Sequence, residues 1–349
     1  MKKKKLLFVM PFFFGIGGVE HIIQNRIIFL QNYFDILIFE SNSQTTEKSN
    51  LSLDCEIFSI NYKKNSFFPL FNYIKIFRKL LNQFQPDEVI VLDNGWKGLL
   101  IPYFSKNIKT SYERHGAIHF YNNDYGVTHT IKKFIFQTLA QKYKLIIFLN
   151  DAMAAHWNHP NKLVMPNGII PNEKELINEP PSSVLWVGRQ SPEKGLDTLF
   201  KIWDKVSTTN PNWTLKIFTP DRLNPKLFQS LNKIENIFGL TNKSSIYKSG
   251  SILVNTSKYE GFGLTILEGM NFGLPVMAFD VADGPKYLIE NHVNGYLIEK
   301  NNVDDFAKKL NILMHDGHLR KVFGEKSLQK SLPFDLNKIH QKWLDIYNT

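Results

Sequence analysis

Apolar residues in this chain fall in short runs that do not alternate with polar ones. The runs are Lys5–Met10, Ile36–Phe39, Glu56–Ile60, Glu88–Leu92, Lys144–Leu149, Val184–Val187, Leu215–Phe218, Ile252–Asn255 and Val276–Phe279. Strands buried on both faces of a parallel sheet have this pattern. Between them Leu70, Ile74, Phe77, Leu81 and Phe84 recur at helical spacing, as do Leu196, Leu199, Phe200, Trp203 and Val206. Alternating strand and helix predicts an α/β fold of doubly wound domains.

Pro166-Asn167-Gly168, Pro171 and Pro180-Pro181 break both periods, and the residues between them are polar. An inter-domain linker is expected there. The alternation then restarts, so two similar α/β domains are expected, over 1–168 and 172–332. A final helical pattern in Phe334–Tyr347 carries Leu336, Ile339, Trp343, Leu344 and Ile346. The length of 349 residues suits two domains, and 43% hydrophobic with 21% charged residues is a globular composition. The single cysteine, Cys55, excludes an internal disulfide framework and fits a cytosolic setting.

Lys2–Lys5 followed by Leu6–Val19 has the look of a secretion signal. Pro11, Gly15, Gly17 and Gly18 break that apolar run, and no small-residue cleavage site follows. Lys4–Met10 is therefore expected as a first buried strand and Pro11–Gly18 as its loop. The uncharged stretch is also too short to span a bilayer.

The densest chemistry lies in Ser257–Ala282. Glu260 and Glu268 stand eight residues apart around Gly261-Phe262-Gly263-Leu264, after the strand Ile252–Asn255 and before Gly273-Leu274-Pro275-Val276. A helix start leaves N–H groups unpaired and partly positive, which suits a phosphate. A carboxylate suits sugar hydroxyls, because it accepts two donors at once. Together these features predict a sugar-nucleotide site. Isolated carboxylates at this spacing would otherwise be a surface pair.

These residues resemble the retaining glycosyltransferases of family four, whose GT-B fold has two facing Rossmann-like domains. Tyr259-Glu260-Gly261-Phe262-Gly263-Leu264 with Glu268 matches the Glu-x7-Glu signature of that family. The resemblance implies that Glu260 lies by the donor sugar and Glu268 holds the ribose. It implies that the N–H groups of Gly261, Phe262, Gly263 and Leu264 line the sugar and diphosphate, and that the C-terminal helix 334–349 returns to the first domain. It also implies the activity: transfer of a hexose or N-acetylhexosamine from a nucleotide sugar, UDP-linked above others, to a glycan or lipid-linked acceptor of a bacterial surface polysaccharide such as lipopolysaccharide or capsule.

Val187-Gly188-Arg189-Gln190-Ser191-Pro192-Glu193-Lys194-Gly195 ends a strand and opens a helix, with Ser191 as cap and Pro192 in first position. Arg189 and Lys194 can converge on one anion. Two fixed cations suit a departing diphosphate, whose negative charge grows in the transition state. The family carries an Arg and a Lys here for that task. Solvated cations on a capped helix are the plainer alternative.

Gly15-Ile16-Gly17-Gly18-Val19-Glu20 is a weaker signal. By the resemblance Gly17 and Gly18 face the diphosphate. A turn needing positive φ would also use glycine, and Glu40 leaves a dinucleotide site open. His115, in Tyr112-Glu113-Arg114-His115-Gly116, is a candidate donor of a hydrogen bond to the outer hydroxyls of the sugar, with His119 as a possible confusion and a structural histidine as the alternative. Asp93-Asn94-Gly95 is an acceptor-side candidate, and Gly284-Pro285 resembles segments of polysaccharide-building members.

No Asp-x-Asp, Gly-x4-Gly-Lys-Ser/Thr or Gly-x-Ser-x-Gly occurs. No metal or other cofactor is expected, and ATPase and nucleophile-elbow hydrolase classes are disfavoured. The net charge is +10. Residues 1–170 hold 20 Lys/Arg against 12 Asp/Glu, or +8, and residues 171–349 hold 22 against 20, or +2. Lys63–Gln85 is basic and aromatic without an acidic residue, and Ile131–Lys144 adds four lysines. An anionic membrane surface is thus a possible partner, with ordinary outer helices as the alternative. No nucleic-acid motif is present, so nucleic acid is not expected. A cytoplasmic enzyme, peripheral at the inner membrane face, is the combined expectation. A sugar-nucleotide epimerase of the same fold and a non-catalytic membrane-associated sugar-nucleotide binder remain as alternatives.

Overall fold

The computed structural model describes residues 2–15, 17–41, 53–60, 69–105, 107–116, 127–172, 181–239, 242–281 and 283–348. The chain divides into two compact units, Met1–Gly168 with Ile339–Thr349, and Ile169–Lys338. His119, Lys63, Phe67, Phe68 and Ala282 lie outside the described residues.

In the first unit the order is β1 (Lys5–Met10), α1 (Gly18–Leu30), β2 (Asp35–Glu40), β3 (Glu56–Ser59), α2 (Pro69–Phe84), β4 (Glu88–Val91), α3 (Trp96–Phe104), β5 (Lys109–Arg114), α4 (Val127–Ala140), β6 (Leu145–Phe148), α5 (Asp151–Ala155) and β7 (Lys162–Val164). The strands form one parallel sheet in the order β3-β2-β1-β4-β5-β6-β7, with Leu6 opposite Ile36 and Glu88. Reversal of direction at β1 divides the helices between the two faces. Right-handed crossovers put α1 on one face and α2, α3 and α4 on the other. The first face packs Phe8, Ile38 and Ile90 against Ile27 and the C-terminal Trp343 and Tyr347. On the second, Phe39 stacks on Tyr73 and Phe77 of α2.

In the second unit the order is β8 (Ser183–Val187), α6 (Leu196–Ser207), β9 (Thr214–Thr219), β10 (Ile234–Phe238), α7 (Lys243–Tyr247), β11 (Ile252–Asn255), α8 (Leu264–Asn271), β12 (Val276–Asp280), α9 (Gly284–Leu288), β13 (Gly295–Glu299), α10 (Val303–His315), α11 (Gly317–Ser331) and the start of α12 (Leu336–Asn348). Its parallel sheet runs β10-β9-β8-β11-β12-β13. Trp186, Ile217, Val254 and Met277 of the sheet join Trp203 of α6 and Phe306 of α10 in one core. Both sheets are therefore doubly wound and Rossmann-like. Among the described residues no helix is long and apolar enough to cross a membrane.

His340 of α12 is buried and stacks on Phe29 of α1 at 4.9 Å. Burial, then the nearby Arg26 charge, lower its pKa from 6.5 to about 4. The unfolded chain takes up the proton first, so His340 withdraws stability as pH falls from about 6.5 toward about 4. We expect the melting temperature to fall between pH 7 and pH 5. His340→Phe should flatten that slope, and an unchanged slope in the variant would refute the assignment.

Candidate functional site

The Gly-rich turn of the second unit starts where β11 leaves the sheet. Thr256 and Ser257 are buried, and the chain turns through Glu260 to Gly263 before α8 begins. Gly263 has φ +91°, a conformation that side chains disfavour, and it accepts the first helical hydrogen bond, from Leu267 N–H. No side chain caps α8, and its first turn has no acidic residue. The opening N–H groups of α8 therefore lack helical partners and any competing carboxylate. By contrast Asn302 caps α10 and Asp316 caps α11.

Phe262 is buried against Tyr287 and Phe334. Its side chain anchors the turn, so only its backbone could meet a ligand. Gly284 presses on the same turn, with its N–H donating to Glu260 O at 3.1 Å. A Cβ there would lie 2.9 Å from that oxygen and 2.8 Å from the Phe262 carbonyl carbon. Glycine at 284 is thus required by space, and Pro285 follows at the start of α9. Asp283 beside it holds φ +77°, a strained geometry that the pairing of 260 with 283 maintains.

The Arg189–Gly195 segment is locked to this turn. Lys258 N–H donates to Glu193 O at 2.7 Å. Thr256 Oγ1 accepts from the Trp186 indole at 3.1 Å and donates to Gly195 O at 2.9 Å. Gly195 has φ +66°, and a Cβ on it would lie 2.0 Å from Thr256 O. The local structure differs from the expectation of a helix capped by Ser191. Pro192–Lys194 forms a single 3-10 turn without a Ser191 side-chain cap, and α6 starts only at Leu196. The αL residue Gly195 separates the two, and its missing Cβ leaves room for Thr256 O.

This locking brings Lys194 to Glu260, Nζ to Oε2 at 2.8 Å, with both side chains mostly buried. Arg189 is exposed and forms no ion pair among the described residues. Lys194 and Arg189 therefore do not share one partner: the first is oriented by a carboxylate and the second is free to move.

Glu268 is held differently. Tyr247 donates its hydroxyl to Oε2 at 2.6 Å, and Lys243 meets Oε1 at 2.7 Å. Burial, then the Glu268 charge, push the Tyr247 phenol well above its ordinary pKa, so it stays a donor. A carboxylate has about four acceptor sites, and ribose hydroxyls can use the remaining two. Sequence reasoning missed Tyr247 and Lys243. They share one face of the short helix α7, at a spacing of four, but no motif marks them.

The other candidates lie in the first unit. Gly17 caps α1 with φ −84°, and neither Gly15 nor Gly17 has positive φ. The expected left-handed turn is absent there. A Cβ on Gly17 would lie 2.1 Å from Glu20 Oε2, the end of a flexible side chain that can move aside, so space does not require glycine there. The Glu20 carboxylate lies over Gly15 and Gly17 at the start of α1. Glu40 is buried and takes Phe13 N–H on Oε1 and the Ser59 hydroxyl on Oε2, each at 2.8 Å. It is a strut between the loop and β3, which removes the ribose anchor of a dinucleotide site.

His115 is buried at the end of β5, with Nε2 3.1 Å from Glu113 Oε2. Glu113 also takes Arg26 at 2.8 Å and the Tyr347 hydroxyl at 3.0 Å. Burial raises the Glu113 pKa, but Arg26 and the His115 hydrogen bond outweigh it and hold the carboxyl below its usual range. An ionised carboxylate only accepts, so Nε2 of His115 carries the proton. Its Nδ1 is buried with no hydrogen-bond partner among the described residues. Nδ1 is thus the ring nitrogen of His115 not engaged by Glu113. Asp93 is buried, and burial raises its pKa against the Gly95 N–H that it accepts at 2.8 Å.

Among the described residues, no group of three His, Cys, Asp or Glu could hold a metal ion.

Comparison with known proteins places these features in a family. Residues 171–330 match the model of the glycosyl transferases group 1. An uncharacterized glycosyltransferase of Haemophilus influenzae is 31% identical over 294 residues, covering 79% of this chain and 80% of its own length. The amylovoran biosynthesis glycosyltransferase AmsD of Erwinia amylovora is 24% identical, with 99% of each covered. The structure of HepE from Anabaena, solved with UDP and glucose, superposes with a TM-score of 0.78 at 17% identity, covering 99% of each chain. Two Rossmann-like sheets and these similarities lead to one conclusion: the chain belongs to the GT-B glycosyltransferases and carries a glycosyl transferases group 1 domain over residues 171–330.

Proposed function

We propose that this enzyme transfers a hexose or N-acetylhexosamine from a UDP-sugar to a glycan or lipid-linked acceptor, with retention at the anomeric carbon and without a metal. The pathway that fits is bacterial surface polysaccharide synthesis, of lipopolysaccharide or capsule type. AmsD supports this by its name, and HepE by its bound UDP and glucose. The observation that carries the reading is the pair of held carboxylates on either side of the uncapped start of α8: Glu260 on Lys194, and Glu268 on Tyr247 and Lys243.

In this reading Glu268 takes the ribose hydroxyls and the α8 start takes the diphosphate. Lys194 swings from Glu260 toward the phosphate, and Arg189 adds the second charge. The acceptor oxygen bonds to the anomeric carbon on the face from which the diphosphate leaves. The sugar–phosphate bond breaks, and the hydroxyl proton passes to the departing phosphate oxygen. Positive charge from these groups does the work that a divalent cation does elsewhere. Glu260 is left to orient Lys194 and to accept from the sugar.

A panel of UDP-, GDP-, ADP- and CDP-sugars with EDTA present tests this. We expect one UDP-sugar to raise the melting temperature and to be hydrolysed slowly to UDP without acceptor. Stabilisation by no nucleotide sugar would refute the site. An epimerised sugar nucleotide would move the reading to an epimerase, and binding without any turnover to a binder.

A further inference from the structure

We propose that the outer face of α2, α3 and α4 seats the first unit on an anionic lipid surface. The three helices lie together on one face of the sheet, with Trp96 of α3 against Phe136 of α4 at 4.5 Å and Lys97 of α3 over the Tyr73 ring of α2 at 5.4 Å. They contain Lys75, Arg78, Lys79, Lys97, Lys132 and Lys133 and no carboxylate. Outer helices of the same protein need not be like this. α10 has Asp304 and Asp305 beside Lys308 and Lys309, and α11 mixes Glu325 with Arg320 and Lys321. A face of pure positive charge selects a polyanion.

The apolar residues narrow the choice to a lipid surface. Phe71 is 67% exposed and Phe134 71%, and Leu70, Trp96, Ile131 and Ile135 are exposed with them. They do not serve the core, which α2 meets through Tyr73, Phe77, Leu80 and Leu81. Leu70, Phe71 and Trp96 lie in the first turns of α2 and α3, and Ile131, Phe134 and Ile135 continue the apolar surface along the first nine residues of α4. In a parallel sheet the helix starts share one rim, at the carboxyl ends of the strands. An apolar rim with cations set beside and behind it matches an interface, where apolar side chains enter the acyl boundary and lysines reach the headgroups. Nucleic acid would use the cations but leave the aliphatic Leu70, Ile131 and Ile135 without a role.

The test is co-sedimentation of the full chain, without nucleotide sugar, with vesicles of phosphatidylglycerol and phosphatidylcholine or of phosphatidylcholine alone. Its outcome is therefore independent of the transfer reaction. We expect binding to the anionic vesicles only, weakened by salt. Each cation near such a surface is worth about fivefold in partitioning, so K75Q/K79Q/K133Q should lose about a hundredfold. The pair Phe71→Ser and Phe134→Ser should lose at least about tenfold. The control triple K321Q/K338Q/K342Q, on other helices, should bind as the parent does. These side chains are all exposed, so the melting temperatures should match. Equal loss in both triples, equal binding to neutral vesicles, or no binding to any vesicle would overturn the proposal. So would a parent dimer that the two Phe substitutions dissociate, which would make this face a self-association surface.

Discussion

Lys194→Ala lowers kcat for sugar transfer by about 10²–10³-fold while the enzyme stays folded. The expectation follows from where its ammonium stands. Lys194 ends a 3-10 turn tied to the Glu260 turn by Lys258 N–H on Glu193 O and Thr256 Oγ1 on Gly195 O, and its Nζ lies 2.8 Å from Glu260. In the proposed role this ammonium moves from Glu260 to the developing phosphate charge, where one cation contributes on the scale of a single oxyanion-hole donor. Folding depends on it little. Neither side chain is fully buried, so water can reach Glu260 once the ammonium is gone. Steady-state kinetics with the UDP-sugar found in the panel, beside a melting curve, checks both halves. Glu268→Ala supplies the contrast: in the proposed role Glu268 would bind ribose equally in ground and transition states, so its loss should raise KM for the donor more than it lowers kcat. Full activity in both variants would remove the site assignment.

Much of this site could be seen in the sequence because its parts are local. Strand, glycine turn and helix start follow one another within twenty residues, and each has its own signature. What joins them was not visible. Lys194 meets Glu260 across 66 positions, and Tyr247 reaches Glu268 from a five-residue helix with no motif. Charge pairing over such a separation leaves no periodic trace.

The same physics separates the strands that were legible from those that were not. β1, β11 and β12 are apolar on both sides and stand out. β5 reads Lys-Thr-Ser-Tyr-Glu-Arg, without the apolar run that marks the other strands. Its polar side chains are buried because partners wait for them: Ser111 donates to Glu88, and Glu113 meets Arg26. β13 opens on Gly295, which resembles a turn. In the fold a Cβ there would sit 1.8 Å from Val276 O, so close strand pairing demands the glycine. β10 is a half-exposed edge strand, held in part by Asn236 donating to Ile217 O. On α2 the periodicity suggested Leu70 as part of the buried stripe, yet it is exposed, and the stripe starts at Tyr73.

Glu113→Leu should lower the stability of the first unit by about 3–5 kcal/mol, the usual cost of leaving a buried partner charge alone. Arg26 is 2% exposed and lies 3.9 Å over the Trp343 ring. Its guanidinium has no water to replace the carboxylate, and Tyr347 and His115 lose their acceptor as well. For a unit of this size the loss corresponds to a drop of about 10 °C or more in its melting transition, which calorimetry would register separately from that of the second unit. The charge, rather than the side-chain volume, is the cause. Arg26→Met combined with Glu113→Leu should therefore recover much of the loss, since a buried ion pair exchanged for apolar groups is often near neutral. The pH dependence gives an independent sign. Because the Glu113 carboxyl is held below its usual range, the pair stabilises the fold above about pH 4.5 and weakens as pH falls through the lowered pKa. The double variant should lack that acid limb. A double variant no more stable than Glu113→Leu would mean that the geometry of the quartet, and not its charge balance, holds α12 against β5.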